Sequence, residues 1–278
     1  MVRFDAYSAT TTAAKAPDML SLLAGAAGLG AFHKMRQGKG FHTFGDRIGI
    51  SNEQGVEWGS VMWGGQQGDR VMVEVKGEAT PKAVEALRSA FPHRCTRVDA
   101  CADFDAPGSF EKLLEACQEV KQGHRLKGEK QGDWDDFPEL GRTLYLGARA
   151  SVCRVRLYEK GKQPEYRHLE RPDWTRIEVQ VRPAKEAKSA FAALSPVEVW
   201  GASTWTRELA GKVLQEHIDP HPAGTTYRLT QRDAALEWMC KQYGAHLVDL
   251  AGDLGGWDCV GLTLREIIAA QEKKKRQH

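Results

Sequence analysis

The chain has 278 residues, 41% hydrophobic and 27% charged, with a formal net charge of +2. That length and balance fit a soluble globular protein with one large domain or two modest ones, and exclude a disordered or fibrous chain. The near-neutral total gives no blanket attraction to nucleic acid or membrane, so any polyanion site has to come from local clustering.

Val2–Thr10 reads as a first strand, and a helix from about Asp18 is expected to stop at Gly28 and Gly30. The apolar run 20–32 is too short for a bilayer and lacks the pattern of a signal peptide, so no membrane segment is expected. Six cysteines without a CxxC pair read as reduced thiols of a cytoplasmic protein. Short strands are predicted over His42–Ile50, Val56–Trp63 and Val71–Lys76, and Trp63 in its glycine turn offers an aromatic that either packs or meets an unstacked base. Thr80-Pro81 opens a helix with an apolar stripe at Val84, Leu87 and Phe91.

Cys95–Phe104 alternates, with Val98, Ala100 and Ala102 on one face and Arg97, Asp99, Cys101 and Asp103 on the other. A helix over Ser109–Gln122 follows, then a polar loop to Gly141 carrying His124, Arg125, Lys127 and Lys130. Thr143–Lys160 holds two strands. In the second, Val155 and Leu157 alternate with Arg154, Arg156, Tyr158 and Lys160, which predicts a solvent face with a phenol in line with three cations. Trp174–Arg182 alternates in the same way, with Glu178 and Arg176 facing outward. Beyond Ala184 the pattern becomes helical, with Trp200 and Trp205 in helix packing, a breaker near residue 220, helices over Arg232–Tyr243 and Thr263–Gln271, and a basic tail at Lys273–Arg276. The order of elements predicts an α+β fold, a mainly antiparallel sheet with helices over one face. Residues 1–195 form the expected sheet domain and 196–278 a helical C-terminal region with a DNA-binding or oligomerising role.

Two constellations carry chemistry. Asp99, Asp103 and Glu178, with Glu74 as a weaker fourth, are hard oxygen donors suited to Mg²⁺ or Mn²⁺. The alternative is that Asp99 pairs with Arg97 or Arg176 as a salt bridge. Tyr158 beside Arg154, Arg156 and Lys160 is either a packing residue or a nucleophile, its phenolate stabilised by cations that also neutralise a scissile phosphate.

The ordered segments RVDACAD, TLYLGARAS–RVRLYEKGKQ and WTRIEVQVR, with VMVEVKG and SPVEVWGASTW, resemble the replication initiation factor family. These are the rolling-circle initiators of small plasmids and filamentous phages, to which mobilisation relaxases of some integrative elements are related. The likeness runs from about Phe4 to Leu214. It implies a relaxase-like nuclease core with RRM-like βαβ elements that nicks and rejoins origin DNA, double-stranded with a melted or hairpin nick site, through a 5′-phosphotyrosine. It further implies Tyr158 as nucleophile, Asp99, Asp103 and Glu178 around a divalent metal, Arg154, Arg156 and Lys160 on phosphate, and Arg97 and Arg176 orienting the carboxylates. A host helicase and a homodimer are further implied partners. The His-hydrophobe-His pair of the wider superfamily is missing, which leaves the ligand role to carboxylates. A relaxase at a transfer origin is the alternative, as is a non-catalytic DNA-binding regulator. An RNA-stacking platform is disfavoured because the outward faces carry Asp, Glu and Arg instead of aromatics.

Overall fold

The structure is a computed structural model that describes residues 1–27, 34–224 and 231–275. Contacts divide the chain into two compact units, Met1–Thr226 and Tyr227–His278.

The first unit is built on a ten-stranded antiparallel sheet in the order β2-β3-β4-β5-β1-β6-β10-β9-β8-β7. The strands are β1 (Val2–Thr11), β2 (Lys34–Lys39), β3 (Asp46–Ser51), β4 (Glu57–Trp63), β5 (Val71–Lys76), β6 (Arg94–Phe104), β7 (Gly128–Gln131), β8 (Thr143–Leu146), β9 (Cys153–Glu159) and β10 (Thr175–Val181). The helices of this unit are α1 (Ala16–Ala26), α2 (Thr80–Ala90), α3 (Ser109–Gly123), α4 (Ala187–Phe191) and α5 (Thr204–Val213). Both β5 and β6 pair with β1 from opposite sides, so β5-α2-β6 is a βαβ unit split around β1.

Period-two alternation divides each central strand between two environments. On one face Val98, Ala100, Val155, Leu157, Ile177, Val179 and Val181 are completely buried in the main core. The helices close that face: α3 offers Phe110, Leu113, Cys117 and Val120, and α2 offers Ala83, Val84 and Leu87. Burying each large apolar side chain contributes about 1.5–3 kcal/mol. Trp200 and Leu209 are fully buried in the same core, so the sheet unit carries residues 196–226 with it, a stretch that the sequence assigns to the C-terminal part.

Two local features position the site. Gly161 follows β9, where its backbone N–H donates to Trp174 O and an added Cβ would run into Arg171 O. Only glycine allows the 161–172 loop to lie that close to β10. A bulge in β1 between Phe4 and Ala6 lets Phe4 and Tyr7 both face the core, while Asp5 projects to the opposite face.

Several expectations need adjusting. β2 lies outside every predicted strand because all six of its residues are exposed and no hydrophobic alternation marks it. A short strand, β7, sits within the predicted 123–141 loop. Ala79, not Thr80, caps α2, because the Thr80 hydroxyl donates to Asp5 O instead. Where helix packing is expected at Trp200 and Trp205, a 3₁₀ turn over Glu198–Ala202 is followed by α5. Gly28 and Gly30, and Arg276 of the basic tail, lie outside the described residues.

The second unit contains α6 (Gln231–Leu254) and α7 (Trp257–Lys275), which pack on each other. Among the described residues no helix is long and apolar enough to cross a membrane.

Candidate active site on the polar face of the sheet

The face of the sheet opposite the helices gathers the predicted chemistry. Register puts Tyr158, Arg176 and Asp103 side by side on β9, β10 and β6. The next row is Arg156, Glu178 and Cys101, and the row after it Arg154, Gln180 and Asp99. A cavity of about 270 Å³ is lined by Arg156 and Glu178 of the second row and Asp99 of the third, together with Asp5, Glu74 and Arg97 among others, and by none of the first row.

Tyr158 is the first correction. Sequence alternation predicts a solvent-facing phenol, but its exposure is 4%. The ring stands apart from the apolar core and is roofed by the Arg156 guanidinium, 3.9 Å from its centroid. Its hydroxyl donates to Glu178 Oε2 at 3.5 Å. Burial raises the phenol's pKa, and the nearby Glu178 charge adds to the rise, while Arg176 and Arg156 oppose it. The phenol and Glu178 therefore share one side of the sheet, with the Arg156 guanidinium over the phenol ring.

Glu178 is itself buried, with Arg156 Nη1 at 3.7 Å from Oε1. Burial, then the negative charges of Asp99 and Asp5, push its pKa up to about 7. Asp99 is gripped by Arg97 through Nε at 2.9 Å and Nη2 at 2.5 Å, and Gln180 Nε2 donates to it at 3.3 Å. The salt bridge weighed at the sequence level thus forms, and Asp99 still lines the cavity.

Asp103 belongs to a different cluster. Four residues along a strand span roughly 13 Å, which separates it from Asp99. Arg176, with no exposed surface, clasps it through Nε and Nη2, both at 2.7 Å, and reaches Asp5 Oδ1 through Nη1 at 2.5 Å. Trp174 Nε1 and Arg3 complete the cage around Asp103. Burial works against the Asp103 carboxylate's charge, but the Arg176 bonds overcome it and hold its pKa below the usual range.

A single ion on Asp99, Asp103 and Glu178 together does not fit this arrangement. Among the described residues no three His, Cys, Asp or Glu side chains converge to hold a metal. Asp99 and Glu178 do suit a hard divalent cation: both are oxygen donors on one cavity, and their mutual repulsion is what such an ion relieves. Glu74 and Asp5 line the same cavity.

The predicted phosphate contacts also divide. Arg156 lines the cavity. Arg154 stacks on Tyr145 at 3.8 Å and pairs with Glu129 at 3.1 Å. Lys160 is not on the strand at all. It lies in the 3₁₀ turn after β9, 6% exposed, between the rings of Tyr166 (4.5 Å) and Trp174 (5.1 Å), and burial lowers its pKa. Of the predicted line of exposed cations, Lys160 is buried and Arg154 and Arg156 are half-buried.

Two relevant residues escaped sequence reading. Asp5 was hidden by the β1 bulge, because simple alternation groups it with the core residue Tyr7. Tyr145, opposite Arg156 across β8 and β9, is a second phenol on this face and less buried than Tyr158. A visible signal was its place in the same alternating motif. Cys101, between the acids, is fully buried with its thiol pushed up to about 12, which leaves it inert. His124 bonds Glu208 of α5, Lys130 sits over the Trp134 ring, and Trp63 lines a separate cavity with Lys15, Leu20 and Arg70, so none of these joins the polar-face site.

Comparison with known proteins adds a family. A family model described as replication initiation factor matches residues 93–247, a span that contains Asp99, Asp103, Tyr158 and Glu178. No curated protein matches the chain. Among solved structures it is similar to a rolling circle replication initiator protein from Geobacillus stearothermophilus, with 17% identity over 72% of this chain and 83% of that chain and a TM-score of 0.49.

Proposed function

The chain belongs to the replication initiation factor family, and on that premise we propose that it starts rolling-circle replication by nicking and rejoining an origin strand through Tyr158. The observation that carries this reading is the Tyr158 hydroxyl, held 3.5 Å from the buried Glu178 carboxylate at the edge of a cavity also lined by Arg156 and Asp99.

The chemistry is a transesterification. Tyr158 Oη forms a bond to phosphorus as the bond to the 3′ oxygen breaks, leaving the 5′ end on the protein and a free 3′-hydroxyl as primer. Glu178 Oε2 is the acceptor aligned for the phenolic proton, and its raised pKa keeps it in the range where a base works near neutral pH. The departing 3′ oxygen takes up a proton, and the reverse sequence rejoins the strand. Arg156 has two roles. It lies across the phenol until a phosphate draws its guanidinium away, and it then faces the charge growing on the non-bridging oxygens. Arg97 holds Asp99, while Arg176 fixes Asp103 and Asp5 and keeps a positive charge behind the phenol. Asp99 and Glu178 would hold Mg²⁺ or Mn²⁺. Such an ion supplies, when bound, positive charge that favours phenolate and offsets charge on the scissile phosphate.

The test uses a labelled single-stranded origin oligonucleotide with Mn²⁺. Tyr158→Phe should lower cleavage by about 10³-fold or more with binding near normal, and chelation should stop cleavage in the wild type. Tyr145 supports a second reading, since it is the less buried phenol and Arg154 lies over its ring. Cleavage that survives Tyr158→Phe and is lost in Tyr145→Phe would transfer the nucleophile to that residue.

A further inference from the structure

The outer end of the sheet carries a basic ribbon that the nicking chemistry does not use. In β2, Lys34, Met35, Arg36, Gln37, Gly38 and Lys39 are all exposed, no acidic residue occurs, and β3 is the only strand that pairs with it. Among the described residues, Lys34, Arg36 and Lys39 form no salt bridge. Lys39 lies opposite Asp46 without pairing to it, and Arg47 is already held by Glu57.

Register decides where these cations point. Arg36 is opposite Gly49, Gly49 opposite Ser60, Ser60 opposite Glu74, Glu74 opposite Ser8, and Ser8 opposite Arg97. Residues directly opposite share a face, so Arg36 and its neighbour Lys34 lie on the same side of the sheet as Asp99, Glu178 and Tyr158. Measured along the sheet, five strand spacings separate β2 from β6 and seven separate it from β9, or roughly 24 and 34 Å. Sheet twist makes the straight path shorter.

We propose that the β2–β3 ribbon is a duplex-DNA clamp, whose Lys34 and Arg36 grip backbone phosphates up to about one helical turn from the nicked bond; Lys39, three residues beyond Arg36, lies on the other side of the sheet. This rests on the DNA reading of the polar-face site and adds a surface to it. A two-stranded ribbon fits the major groove of a duplex, and a turn of B-DNA is about 34 Å, the reach from β9 to β2 along the sheet. Charge complementarity selects the occupant, because two unpaired cations on that face without an acid on the strand suit a polyanion. A single strand confined to the cavity would not extend to them.

Backbone contacts read no sequence, so a mixed-sequence probe suffices. The probes are a duplex of about 30 base pairs with a single-stranded tail of about 12 nucleotides, and the tail alone, titrated over a range of salt. In the Lys34→Gln/Arg36→Gln variant, the slope of log affinity against log salt for the tailed duplex should become shallower by about 1.8, or roughly 0.9 per lost cation. Arg36→Lys, which keeps the charge, should keep the wild-type slope. Affinity for the tail alone should be unchanged in both variants. An unchanged duplex slope in the double variant overturns the proposal, as does an equal loss on both probes. A change in oligomeric state with no change in DNA binding overturns it too, and would assign the open edge of β2 to pairing with a second copy. Failure of the nicking chemistry shows separately, as absence of a covalent adduct on the single-stranded origin oligonucleotide while the duplex slopes still differ.

Discussion

Leu157 and Tyr158 are neighbours on β9, exposed by 0% and 4%, yet they are buried for different reasons. Leu157 faces the helices and is held by packing among Val155, Ile177 and Leu144 in the main core. Tyr158 faces the other way, where Arg156 lies over its ring, Glu178 accepts from its hydroxyl and the buried Arg176 beside it is bound to Asp103. Inaccessibility therefore has two energetic meanings in this sheet. On the helix side a lost side chain leaves a void. On the polar side a lost partner leaves an ion without compensation.

Substitutions can separate the two. The largest expected loss of stability is in Arg176→Met, about 3–5 kcal/mol, because Asp5 loses this cation and Asp103 is left with only Arg3 and Trp174. Adding Asp5→Asn and Asp103→Asn should recover more than half of that loss in a urea melt. Ile177→Ala, one residue away, should cost about 2–5 kcal/mol, and no second polar change should rescue it. If the triple variant is no more stable than Arg176→Met, charge is not what holds the polar face.

A smaller and pH-dependent effect is expected from Glu178. Its folded pKa of about 7 lies above the ordinary 4.5, so between those values the folded chain binds more protons than the unfolded one. Stability linked to this group is complete below about pH 4.5 and falls as pH rises through about 7. In metal-free buffer Glu178→Gln should raise the thermal midpoint relative to wild type at pH 8 and leave the difference near zero at pH 4. The opposite trend would mean that Arg156 and Arg176 dominate the group. The smallest effect is Lys212→Ala, which breaks an exposed pair with Glu119 and should leave the midpoint within measurement error.

Much of this contrast was legible in the sequence. The alternation of β6, β9 and β10 identifies the core residues and brings Asp99, Glu178 and Tyr158 to one face. Geometry that depends on a neighbour was not legible. Whether an outward-facing phenol meets water depends on where Arg156 lays its guanidinium, and side-chain periodicity says nothing of that. The separation of Asp99 from Asp103 follows from strand rise alone, whereas the capture of Asp103 by Arg176 needs the register of β6 against β10. Asp5 was out of reach because a single bulge reverses the parity of β1. The ribbon strand β2 left no hydrophobic signal, since all six of its residues are exposed.

The central claim is that Tyr158, under its Arg156 lid, is the group that bonds to DNA. Its most direct test is to trap the covalent complex of the wild-type chain with a labelled single-stranded origin oligonucleotide in Mn²⁺, then sequence the modified peptide by mass spectrometry. The account predicts one nucleotide adduct on the tyrosine of the peptide containing Arg156–Lys160. An adduct on Tyr145, or cleavage with no covalent protein–DNA species at any time point, would contradict it.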